Sequence, residues 1–152
     1  MNRLTVAVGC DHAGYLLREA LCPVIDGLGF EVLDFGTRGP EPVDYPDFGY
    51  QVARAVASGA AWRGVVICGT GIGISIAANR YAKVRAALCT HGLMARLARQ
   101  HNDANILALG ARITGVDVAK DCLHEFLRTD FDGERHQRRI DKLGEPQGSS
   151  GL

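Results

Sequence analysis

The chain has 152 residues, 47% hydrophobic and 22% charged, with Lys+Arg and Asp+Glu balanced at 17 each. That length fits one globular domain, and the composition and zero net charge exclude a disordered chain and a general nucleic-acid binder. Neither a run of about 18 apolar residues nor a signal-like N-terminus is present, so no membrane association is expected and the protein reads as cytoplasmic.

Residues 4–8 predict a first strand, which ends in Gly9-Cys10-Asp11-His12. From 14 to 28, Leu16, Leu17, Ala20, Leu21, Val24, Ile25 and Leu28 recur at i, i+3, i+4 spacing and predict an amphipathic helix. Pro23 should kink or divide it. Residues 31–35 predict a second strand and 36–47 a loop rich in Gly, Pro and Asp; the helical period returns over 46–58. Residues 64–68 are an unbroken apolar run, as in a parallel strand covered on both faces. Gly69-Thr70-Gly71-Ile72-Gly73 then turns into a small-residue helix reaching Arg80. Strands over 83–89 and 105–109 and helices over 91–100 and 116–127 complete the alternation. The charged stretch 129–142 has room for a short helix. One domain is expected over 1–143, with a disordered tail over 144–152.

Strands alternating with helices predict an α/β fold: a three-layer α/β/α doubly wound, Rossmann-like domain with a five-stranded parallel sheet. Such sheets bind ligands at the carboxyl ends of their strands. Asp11 and His12 follow the first strand, Cys68 and the glycine turn follow the third, and Thr90 and His91 follow the fourth. His101, Asn102 and Asp103 stand in a polar connection ahead of the fifth strand, and Arg112 stands beyond it. His12 and His101 are both expected at the ligand edge. These side chains suit acid–base chemistry on an anionic substrate.

Glycines at that turn let backbone N–H groups approach an anion, though a tight turn with close helix packing needs them equally. The run is neither G-x-G-x-x-G nor G-x-x-x-x-G-K-[ST], so it does not predict a dinucleotide or ATP site. The five cysteines are widely spaced with no C-x-x-C pair, which argues against a disulfide framework and a zinc site. Four are expected to be structural. Cys68, just before a helix N-terminus, is placed where a thiolate is stabilised. His124 reads as an ordinary helical residue and His91 as a cap or surface group. Arg135 and Arg139 stand at i, i+4 and would share one helix face, either solvated or gripping a phosphate; Arg138 points elsewhere.

In this order the motifs G-C-D-H-A-G (9–14), D-Y-P (44–46), C-G-T-G-I-G-I-S-I-A-A-N-R (68–80), R-Q-H-N-D-A-N-I-L-A-L-G-A-R (99–112) and G-x-R-H-Q-x-R (133–139) span nearly the whole chain. They resemble the type B ribose-5-phosphate isomerases, in the sugar-phosphate isomerase family that also includes galactose-6-phosphate isomerase subunits. The resemblance implies that Cys68 is the general base acting at C2 of the open-chain sugar. It implies that Gly69, Thr70, Gly71, Ile72 and Gly73 form the enediolate's anion hole, with Thr70 assisting. His101 corresponds to the acid–base residue that opens the furanose ring, and Asp11 lies beside it on the sugar. His12, Asn102, Arg112, Arg135 and Arg139 correspond to substrate-binding positions, the basic ones mainly at phosphate, and Tyr45 to a pocket residue. The family implies a dimer or tetramer with the active site shared between subunits, and neither metal nor organic cofactor.

Aldose–ketose isomerisation needs a base near working pH and donors aimed at a developing oxyanion, which Cys68 and the glycine turn can supply. One branch of the family carries a Glu inside the loop where Ile74 stands here, leaving Cys68 as the base. Residues 90–94, Thr-His-Gly-Leu-Met, depart from the family's usual polar or aromatic residues, so tetrose, pentose and hexose phosphates are all substrates to test. A non-catalytic sugar-phosphate sensor would need neither Cys68 nor His101. A thiol redox or acyl-transfer enzyme would need a resolving Cys, which the sequence lacks, or a His–Asp relay beside Cys68.

Overall fold

The computed structural model describes residues 2–146. Five strands, β1 (Thr5–Cys10), β2 (Glu31–Asp34), β3 (Arg63–Cys68), β4 (Ala86–Leu88) and β5 (Ile106–Gly110), alternate with five helices, α1 (Tyr15–Gly27), α2 (Tyr45–Ala57), α3 (Ile72–Ala78), α4 (Gly92–Asn102) and α5 (Val116–Arg128). A sixth helix, α6 (Arg135–Gly144), occupies the charged stretch. Of the tail expected over 144–152, Gly144 closes α6, while 147–152 lie outside the described residues. The sheet is parallel throughout, in the order β2-β1-β3-β5-β4.

Side-chain alternation divides the core into two layers. Val6, Val8, Cys10, Val65, Ile67, Leu107 and Leu109 face one side and pack with Leu21 and Ile25 of α1, Ala95 of α4 and Leu123 and Phe126 of α5. Ala7, Val66, Cys68, Ile106 and Ala108 face the other, against Val52 of α2 and Ile74 and Ala78 of α3. This is the expected α/β/α sandwich. The central strand β3 is buried at all six positions, which explains its unbroken apolar run.

Local differences from the sequence reading have physical causes. Pro23 lies within an unbroken α1. Pro23 and Glu19 are both exposed, so the carbonyl that loses its N–H donor is on the solvent side, where water can replace it. Edge strand β4 keeps only three ladder residues of the seven expected. Before it, the Arg85 N–H donates to Asn105 Oδ1 at 2.8 Å, so side-chain bonding replaces the ladder there.

Candidate active site

The chain leaves β1 toward β2 on one side and returns to β3 on the other, so the crevice between β1 and β3 is the sheet's switch point. Asp11 and Cys68 border it. The Asp11 N–H donates to the Ile67 carbonyl at 3.2 Å, and Asp11 Oδ1 accepts the Gly14 N–H at 3.1 Å, which ties the strand end to the head of α1. Cys68 is 4% exposed, and its Sγ accepts the Gly71 N–H at 3.2 Å. Burial pushes the thiols of Cys10, Cys22 and Cys122 up to about 11 and that of Cys89 to about 12, so these four are packed, inert sulfurs. Cys68 stands apart by geometry, with a backbone donor on its sulfur at the head of α3.

The turn requires its glycines. Gly71 has φ +78°, and a Cβ there would stand 2.5 Å from Leu88 Cδ1 and 2.9 Å from the Leu109 carbonyl carbon. A Cβ at Gly73 would stand 2.5 Å from Tyr45 Cζ, so the bare backbone makes room for a half-exposed phenol at the head of α2. Thr70 Oγ1 accepts the Ile72 N–H at 3.2 Å and caps the first turn of α3. The Arg112 N–H donates to the Gly69 carbonyl at 2.9 Å, and its Nη1 lies 3.2 Å from where a Gly69 Cβ would be. His12 Nδ1 accepts the Val43 N–H at 3.1 Å, which leaves Nε2 to carry the proton of the neutral ring. Asp11, His12, Cys68, residues 69–73 and Arg112 thus stand at the carboxyl edge, as their sequence positions predict, and Tyr45 joins them against Gly73.

His101 and Asn102 do not join them. They form the last turn of α4 rather than a polar connection, and α4 runs back from the carboxyl edge to the amino edge of the sheet. A helix joining two parallel strands must reverse direction. Its first turn, capped by His91 Nδ1 accepting the Met94 N–H at 3.4 Å, therefore lies at the edge where His101 was expected. The length of β5 intervenes between His101 and Cys68, about 15 Å at about 3.3 Å per residue.

A second cluster forms at that amino edge. The His101 ring stacks on His136, centroids 4.6 Å apart and planes 18° apart. The Asp132 N–H donates to the Gln100 carbonyl at 3.1 Å, tethering the segment ahead of α6. Arg135 and Arg139 share the exposed face of α6, with His136 and Ile140 on its buried face. Burial pushes the His136 imidazole below its ordinary range, with Arg135, His101 and Arg139 adding to the effect and Asp132 opposing it. A cavity of about 440 Å³ opens beside the cluster, lined in part by Arg85, Asn102, Ile140 and Leu143. Sequence reasoning gave no role to His136; its i, i+4 pairing with the apolar Ile140 was the available signal. Arg99, buried and bonded to Asp103 Oδ1 (2.9 Å) and the Thr129 carbonyl (3.1 Å), was also missed, because a buried arginine looks like any other in sequence.

Comparison with known proteins agrees with this architecture. The family described as Ribose/Galactose Isomerase matches residues 6–143. Ribose-5-phosphate isomerase B of Escherichia coli is 45% identical over 138 residues, covering 91% of this chain and 93% of that protein. The solved ribose-5-phosphate isomerase B of Clostridium thermocellum is 54% identical with TM-score 0.92, over 93% of this chain and 96% of that one. That of Thermotoga maritima is 48% identical with TM-score 0.91, over 95% and 99%. With sequence, sheet and motif order in agreement along nearly its whole length, this chain belongs to the ribose/galactose isomerase family.

Proposed function

We propose that this protein interconverts ribose 5-phosphate and ribulose 5-phosphate through an enediolate, using one catalytic domain over residues 1–143. The observation that carries the reading is Cys68: a buried thiol at the sheet's switch point, with the Gly71 N–H on its sulfur and α3 starting beside it. As a thiolate it takes the proton from C2 of the open-chain sugar and returns it to C1. Charge develops on the sugar oxygens as the proton leaves. Residues 69–73 can donate to that charge, with Thr70 assisting, as the Gly71 and Ile72 N–H groups turn from Cys68 Sγ and Thr70 Oγ1 to the sugar oxygen.

Asp11, His12 and Tyr45 line the same edge and orient the hydroxyls, while Arg112 over Gly69 faces the anionic end. Ring opening and the remaining phosphate contacts fall to His101, Asn102, Arg135 and Arg139, which one chain holds at the opposite edge of its sheet. A second copy must bring them to Cys68. The proposed working form is therefore a homo-oligomer, dimer or tetramer, whose active sites each draw on two subunits. The chemistry moves one proton from C2 to C1 and one from the C2 hydroxyl to O1, and it calls for no cofactor. Among the described residues no helix is long and apolar enough to cross a membrane, and the five thiols are free. A reducing cytoplasm is the proposed setting.

The test is ribose 5-phosphate turnover by the purified protein and by Cys68→Ala, with erythrose 4-phosphate, allose 6-phosphate and galactose 6-phosphate as competitors. Conversion of ribose 5-phosphate that disappears in the variant is the expected result. A preference for another sugar would move the substrate assignment and direct attention to residues 90–94. Binding without turnover of any of them would overturn the catalytic reading in favour of a sensor.

A further inference from the structure

We propose that His101, Asp132 and His136 form a transition-metal site at the amino edge of the sheet, and that metal bound there inhibits the enzyme by withdrawing His101. The inhibition rests on the function proposed above; the metal site does not. One ligand atom from each residue lies within 4.8 Å of the other two. Two imidazole nitrogens and one carboxylate oxygen suit zinc(II) and its borderline neighbours cobalt(II) and nickel(II), and three protein ligands leave a fourth position for water.

His136 supplies the independent observation. Its side chain is 6% exposed, and its Nε2 is buried with no hydrogen-bond partner among the described residues, a state that buried polar atoms avoid. The neighbouring ligands come from separate elements held together by backbone bonding. His101 is on the last turn of α4, Asp132 is tied to that turn through the Gln100 carbonyl, and His136 opens α6. Among the described residues, neither the His101 ring nor the Asp132 carboxylate has a hydrogen bond or ion pair that metal binding would have to break.

Two features limit the affinity. The imidazoles are stacked, 18° from parallel, and a metal lies in the plane of each ring that binds it. One ring must therefore turn, and half-exposed His101 at the helix end is free to do so. Arg135 and Arg139 also oppose a cation, although the same charges favour the neutral His136 that a metal requires.

The experiment titrates the full-length protein with zinc(II) against a chromophoric chelator and records the cobalt(II) spectrum. Asp132→Asn, His136→Gln and Cys68→Ser are measured alongside, and isomerase activity is followed at each metal concentration. The expected result is about one metal per chain, bound without a thiolate-to-cobalt charge-transfer band. Asp132→Asn and His136→Gln should each weaken it at least about tenfold, the loss that removing even a second-shell partner brings. Zinc should inhibit the wild type reversibly, and Asp132→Asn, fully active without metal, should need at least about tenfold more. Affinity unchanged in both variants, or lost in Cys68→Ser instead, overturns the site. Tight binding at these residues with turnover unaffected overturns the inhibition. A protein that isomerises no sugar phosphate still reports the site through the titration, so that failure is read separately.

Discussion

At the scale of single residues, Gly71 connects fold to chemistry. Its φ of +78° is one that a side chain resists, its N–H is on the Cys68 sulfur, and Leu88 and Leu109 fill the space a Cβ would need. Gly29 separates strain from crowding: it has φ +96° with nothing within 4 Å of a Cβ. Gly29→Ala should lose about 1 kcal/mol, the backbone term alone. Gly71→Ala should lose about 2–3 kcal/mol, because contact at 2.5 Å adds an overpacking term. Urea midpoints of the two variants test the difference. Ribose 5-phosphate turnover should fall in Gly71→Ala and stay unchanged in Gly29→Ala.

At the scale of elements, a pair of arginines, Arg99 of α4 and Arg63 of β3, holds the end of α5. Arg99 donates to Asp103 Oδ1 at 2.9 Å, the Ala104 carbonyl at 2.5 Å and the Thr129 carbonyl at 3.1 Å. Arg63 donates to the carbonyls of Phe126 and Thr129 and lies 3.9 Å from the Trp62 ring centre. Together they satisfy the Phe126 and Thr129 carbonyls at the C-terminal end of α5 and complement its dipole. Burial, and Arg99 close by, push the Arg63 guanidinium down to about 10. Arg99→Met should therefore destabilise by about 2–3 kcal/mol, since buried carbonyls lose a charged donor while Arg63 is relieved of a like charge. His101 stands two residues before Asp103, so the ring stack on His136 should loosen as well. Chemical denaturation reads the first effect, and the His101 and His136 imidazole NMR signals read the second.

At the scale of the whole molecule, the buried thiols set how stability responds to alkali. Cys10, Cys22 and Cys122 titrate near 11 and Cys89 near 12 when folded, against an ordinary value of 9.0. Above pH 9 the unfolded chain sheds thiol protons that the folded chain retains, so the unfolded state gains and folding stability falls with rising pH. That contribution is fully present below about pH 8.5 and is lost progressively toward pH 11–12. Urea midpoints under reducing conditions at pH 8 and pH 10 should show the decline, and a flat profile would contradict the burial of these sulfurs. Assembly has its own test. Cys68→Ala and His101→Asn should each be inactive alone, yet regain about a quarter of wild-type activity when mixed and allowed to exchange subunits, since one site of each mixed pair is intact. Mixtures that remain inactive despite exchange would place both residues' chemistry within one chain.

The sequence by itself determined the layers, the strand count and the carboxyl-edge half of the candidate site. These depend on periodicity and on what immediately follows a strand, and both are local. Asp11 after β1, Cys68 at the end of β3 and the glycine turn that follows are placed by their positions along the chain. The tertiary structure decided what depends on direction and distant contact. His101 precedes β5 in sequence, but the antiparallel return of α4 carries it to the opposite edge from Cys68, where it meets His136 of α6. Pro23 stayed inside α1 because its freed carbonyl is on the exposed side, and Arg99 is buried because α5 ends beside it. A pattern of side chains states which face is apolar, whereas only the packed chain states which ends of which elements come together.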